Sequence, residues 1–70
     1  MELEPGDRVA GFIVLIDSEG CRHVVRAGGV MDLHDRDPCR DETVVALTGG
    51  RQLVLVVPLD QVIGWLGPRR

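Results

Sequence analysis

The strongest pattern along the chain is an unbroken apolar run, Phe12-Ile13-Val14-Leu15-Ile16. Successive side chains of an extended strand point to opposite faces. A run with no polar alternate therefore predicts a strand covered on both sides. It completes an apolar, β-branched segment from Arg8 to Ile16, read here as one strand. Residues 1–7 before it read as a loose lead-in closed by a Pro5-Gly6-Asp7 turn. After it, Asp17-Ser18-Glu19-Gly20 places short polar side chains at the opening of a turn and a glycine at its close. From Cys21 to Arg26 the chain alternates, with Cys21, His23 and Val25 on one face and Arg22, Val24 and Arg26 on the other. That predicts a half-exposed strand hairpinned to the first.

Ala27-Gly28-Gly29 interrupts, and Val30 to Leu33 reads as a short third strand. The charged stretch from Asp32 to Glu42, with Pro38 inside it, reads as a loop. Thr43–Leu47 and Arg51–Val57 flank Thr48-Gly49-Gly50, a hairpin signal. In the second of these strands Leu53, Leu55 and Val57 share one face and Val54 and Val56 the other, so neither face is polar. The period then changes: Leu59, Val62, Ile63 and Leu66 fall at the spacing of a helical stripe. Pro58 suits the first turn of that helix, Asp60 complements its dipole, and Gly67-Pro68 stops it. The expected architecture is a single mainly β (α+β) domain over 1–70: a lead-in (1–7), strands and hairpins (8–57), a helix (58–66) and a tail (67–70). It amounts to a small antiparallel sheet or barrel of four to five strands with one short C-terminal helix.

One short helix cannot cover both faces of two apolar strands. Either the sheet curls on itself or a second copy covers the open face. A chain of 70 residues gains more from the second option, because small domains bury a modest share of their surface alone. A homodimer is expected, with Val54 and Val56 on the face that meets the partner.

Composition narrows the function. Apolar residues make up 44 % and charged residues 27 % of the chain, which excludes a disordered segment. The net charge of −3 has the wrong sign for a general nucleic-acid binder, so no direct nucleic-acid partner is expected. No apolar run approaches the roughly 18 residues of a membrane span, and no membrane insertion is expected. The acidic start, Met1-Glu2-Leu3-Glu4-Pro5, lacks the basic region of a secretory signal. That places the protein in the cytoplasm, where Cys21 and Cys39 read as free thiols rather than a disulfide.

Catalytic signatures are scarce. There is no nucleophile elbow, phosphate-binding loop, zinc-protease helix or dinucleotide fingerprint. His34, Asp35, Asp37 and Cys39 lie close in sequence, with Cys21 and His23 on a neighbouring strand, but their spacing matches no zinc pattern. Asp35-Arg36-Asp37 also lacks the glycine and regular acidic positions of a calcium loop. No metal, cofactor or enzymatic activity is expected. The acidic segment reads instead as a solvated loop or a docking surface carried by Asp35, Asp37, Asp41 and Glu42. Trp65 falls off the helical stripe and reads as a binding anchor or as packing against the sheet.

Thr43 to Leu66 resembles the small flagellar FlbD-type (SwrD-type) family: a strand opened by threonine, a Gly-containing hairpin, a valine-rich strand and a short helix opened by an acidic residue. Ile13–Ile16, the Glu19-Gly20 turn and Val24-Val25 follow in the same order, so the resemblance covers about residues 12–66. The charged loop from His34 to Asp41 and the N-terminal segment depart from it. The resemblance implies a non-enzymatic motility protein with no catalytic residues. Together these readings predict a protein-protein interaction module, an adaptor or inhibitor of a larger protein that remains unidentified by sequence. The alternative is a phage or mobile-element inhibitor (anti-CRISPR-like) whose acidic loop blocks a nucleic-acid-binding channel.

Overall fold

A computed structural model describes residues 2–67 of the chain. Its elements are β1 (Arg8–Val9), β2 (Phe12–Ile16), β3 (Arg22–Arg26), a 3-10 turn (Ala27–Gly29), β4 (Val30–Asp35), β5 (Thr43–Leu47), β6 (Arg51–Leu55) and α1 (Leu59–Leu66). β1, β2 and β3 form one antiparallel sheet in that order, and β4, β5 and β6 form another. The mainly β architecture expected from the hydrophobic pattern is therefore present, arranged as two three-stranded sheets. Two ties join them. Asp17, just past β2, bridges to Leu55 at the end of β6. At the other end the Thr48 amide and hydroxyl both donate to the Gly29 carbonyl, at 2.9 and 3.1 Å.

Between the sheets lies one core. Ile13 and Leu15 come from β2, Val45 and Leu47 from β5, Leu53 and Leu55 from β6, and Val62 from α1. Burying a side chain of this size contributes about 1.5–3 kcal/mol each. Val14 points away from that core and is also fully buried. β2 is thus covered on both faces, as its unbroken apolar run required. The one buried polar side chain among the described residues, Thr43, donates its hydroxyl to the Val57 carbonyl at 2.8 Å. That bond satisfies the buried hydroxyl and holds the chain where it leaves β6 for the helix.

Four expectations need correction. Arg8–Ile16 is two strands rather than one, because Ala10 (φ 52°) and Gly11 (φ 85°) form a two-residue turn between β1 and β2. Two successive positive φ values match the hairpin turns that fit strand twist, and alanine in the first place hid the signal. Residues 4–7 are pinned rather than loose. The Gly6 amide donates to the Val14 carbonyl at 2.8 Å and the Val14 amide to the Asp7 carbonyl at 3.0 Å. Next, β4 runs on to Asp35, leaving residues 36–42 as the loop, while β6 stops at Leu55, where its pairing with Thr43 ends.

The last correction concerns the helix. Val62 is its buried centre, while Ile63 is 52 % exposed and Trp65 packs on the core. At about 100° per residue, Trp65 and Leu66 flank Val62 closely on either side and Ile63 lies about a quarter-turn away. Spacing alone leaves Ile63 and Trp65 as rival edges of the stripe, and the larger indole takes the buried one. Pro68, Arg69 and Arg70 of the expected tail, like Met1, lie outside the described residues.

Candidate functional site

The acidic segment folds as a hairpin loop closed on itself. The Arg36 guanidinium donates to the Glu42 carboxylate at 2.8 Å, and the Arg36 amide to the Glu42 carbonyl at 3.1 Å. Asp37 accepts the Cys39 amide on its carboxylate at 3.0 Å and the Arg40 amide on its carbonyl at 3.2 Å. Such short-range bonds from an aspartate are how tight loops replace ladder hydrogen bonds. Of the four carboxylates expected to dock a partner, Asp37 and Glu42 are therefore engaged within the loop. Asp41 is exposed. Asp35 is half-buried at the end of β4, where it lines a crevice of about 230 Å³ with Arg40, Pro58, Leu59 and Asp60. Sequence reasoning assigned Asp60 only to the helix dipole, and the fold brings it beside the loop.

Among the described residues Asp17 has the most hydrogen-bonded polar side chain. Its carboxylate accepts the amides of Glu19 at 2.9 Å and Cys21 at 3.0 Å and pairs with His23 Nε2 at 2.7 Å. The His23 hydrogen bond, and then the Cys21 amide, hold its carboxyl below the ordinary value of 3.8. Hydrogen bonds to the charged form have that effect. Since Asp17 also bridges to Leu55, this constellation fastens the β2–β3 turn to the seam between the sheets. His34 makes a separate, exposed pair with Asp32 at 3.0 Å. Among the described residues, no three of the His, Cys, Asp and Glu side chains converge as a metal site would require. Cys21 and Cys39 are exposed free thiols.

Trp65 is half-buried, with its indole against the Gly6 backbone. A Cβ at Gly6 would stand 2.6 Å from the indole Nε1, and the φ of +89° there is one that L side chains rarely adopt. Both facts demand glycine. Arg8 donates from Nε and Nη2 to the Trp65 carbonyl at 3.3 and 3.0 Å, so the lead-in and the helix hold one another. The free part of the indole lines an apolar crevice of about 170 Å³ with Pro5, Ile16, Leu55 and Val56.

No protein-family model, curated protein or solved structure matches this chain.

Two surfaces stand out. On the second sheet Val44, Ala46 and Val54 alternate with the buried Val45, Leu47, Leu53 and Leu55 and therefore face away from the core, half-open to solvent. Val44 and Val54 are directly paired across the strands, and Val56 just beyond is 57 % exposed. On the first sheet Arg22, Val24 and Arg26 are all exposed on β3. A groove of about 490 Å³ runs beside them, lined among others by Val24, Arg26, Gly28, Thr48 and Arg51. The alternation of β3 was visible in the sequence. What it could not show was that, among the described residues, no strand pairs beyond β3.

Proposed function

We propose that the chain is a non-enzymatic protein-protein interaction module, an adaptor or inhibitor of a larger protein, that works as a homodimer. The observation that carries this reading is the outward apolar face of Val44, Ala46 and Val54, continued by Val56. A contiguous apolar face on so small a domain favours covering by protein, and a second copy supplies the matching face under twofold symmetry. Trp65, half-buried, offers one edge of its indole to the same partner-binding role. Exposed free thiols at Cys21 and Cys39 favour a reducing cytoplasm. No helix among the described residues is long and apolar enough to cross a membrane. The resemblance to the flagellar FlbD-type (SwrD-type) family makes a component of the motility machinery the first partner to try.

Light scattering at micromolar concentration tests the dimer. The wild type should weigh twice the 7.7 kDa of one chain, and Val54→Asp should return it to one copy with its circular dichroism unchanged. A wild type that stays at a single-copy mass overturns the dimer.

A second reading, the inhibitor that occupies a basic nucleic-acid channel, draws on Asp60 and Asp35 lining the same crevice at the loop. It commits fewer carboxylates than the sequence suggested, because Asp37 and Glu42 are spent within the loop. Partner capture that disappears steeply with added salt supports this reading over an apolar interface.

A further inference from the structure

We propose that the bare edge of β3 accepts an extended acidic peptide as an added strand, with carboxylates of the ligand set opposite Arg22 and Arg26. The backbone supplies the first argument. Val14 spends its carbonyl and amide on Gly6 and Asp7, on the side of β2 away from β3. Val14 and Val24 are directly opposed, so theirs is a pair without mutual hydrogen bonds, and the Val24 amide and carbonyl point outward. The same alternation turns the backbone groups of Arg22 and Arg26 outward, and among the described residues no strand lies beyond β3. The edge thus offers the donors and acceptors that an incoming strand uses.

Charge selects the occupant. Arg22, Val24 and Arg26 present their side chains on one exposed face, and Arg51 joins Arg26 at the groove. Among the described residues none of these three arginines pairs with a carboxylate. Arg26 is held in place over the Phe12 ring, 5.5 Å from its centroid. A ligand strand places alternate residues directly opposite these positions, which calls for an acidic, an apolar and an acidic residue at every second position. A second copy is disfavoured in the register that pairs Val24 with Val24, which would set Arg22 against Arg26 of the other copy, since like charges directly opposed are destabilising. The inference names a partner chemistry for the module proposed above and rests on that reading only in requiring that the chain bind protein.

The test is an amide-resolved NMR titration of the full chain with the capped peptide Thr-Glu-Thr-Val-Thr-Glu-Thr. Binding should shift the amides of Arg22, Val24 and Arg26 and slow solvent exchange at Val24. Replacing both glutamates of the peptide by lysine should weaken binding about tenfold, the effect of roughly 1.4 kcal/mol spread over two exposed ion pairs. N-methylation of its central valine should abolish binding without touching the protein. Val24→Pro should do the same, since proline is tolerated on an edge whose amide faces outward. If that variant does not fold, the N-methylated peptide carries the test alone. No shift at millimolar peptide, shifts centred on residues 36–42 or on Val44 and Val54, or full binding of the N-methylated peptide each overturns the proposal. A single-stranded oligonucleotide that binds as tightly as the peptide also overturns it, because the arginines would then be reading phosphate. The dimer face is judged by mass and this edge by amide shifts, so either can fail while the other stands.

Discussion

In the sheet of β1–β3 the central strand is sealed on both faces and one edge is bare, whereas in the sheet of β4–β6 helix α1 packs against the first strand and the outer face stays open. The first half therefore presents a strand edge flanked by exposed arginines, and the second presents an apolar sheet face. The difference has consequences for what can bind. A bare edge recognises any strand whose alternation suits Arg22 and Arg26, so main-chain pairing gives affinity and charge gives selection. An open apolar face needs a complementary surface, and one charged residue can ruin it. It follows that Val54→Asp should disable one half's surface outright, while the other half's requires a block on its backbone.

The largest effect that can test this contrast is in the shared core. Leu15→Ala in β2 and Leu55→Ala in β6 each remove a side chain that is at most 1 % exposed, and each should cost about 2–5 kcal/mol. Because both residues belong to one cluster, urea unfolding should remain a single transition in both variants. Two transitions in either would break the comparison, since the halves would then be separate domains.

Next in size is Gly6→Ala, which forces a strained φ and a contact with the indole. It should cost on the order of 1–3 kcal/mol and shift Trp65 fluorescence as the lead-in lifts from β2. Unchanged emission would mean that the indole does not rest on Gly6.

A pH effect comes third. The folded state lowers the Asp17 carboxyl below 3.8, so its stabilisation is complete above that ordinary value and is lost as pH falls through the lower folded value. The melting temperature should therefore decline below about pH 4, and Asp17→Asn should flatten that decline. An acid profile identical in both proteins would mean that the Asp17 carboxylate does not stabilise the fold through its bonds to His23 and the turn amides. Smallest of all is Arg36→Ala: the pair with Glu42 is solvent-exposed, and such pairs contribute little. Its melting temperature should stay within error of the wild type.

The hydrophobic pattern carried most of the fold. Five apolar residues in succession from Phe12 announced a doubly covered strand, and the Gly49-Gly50 hairpin and the helix of Leu59–Leu66 were equally plain. Where local signals compete, the pattern failed. Ala10 hid a turn because a non-glycine residue rarely takes positive φ, and Ile63 and Trp65 were rival edges of the helical stripe until packing chose between them. The candidate site was harder to see. Which carboxylates are spent inside the loop depends on contacts across the hairpin, such as Arg36 with Glu42, and the approach of Asp60 to Asp35 spans a long stretch of chain. Strand order is not written in any one strand, so the alternation of Arg22, Val24 and Arg26 could not disclose an edge.

The clasp between the lead-in and Trp65 bears on how the chain reaches this state in time. Arg8 and Trp65 stand 57 residues apart in sequence, so their contact closes a loop around nearly the whole domain. Closing a long loop costs more chain entropy than forming a local hairpin, and local pairs such as β2–β3 and β5–β6 form first on that account. The clasp should then form last in folding and open first. Since Trp65 is the only tryptophan, a stopped-flow fluorescence trace follows that last step, while amide protection in the hairpins should precede it.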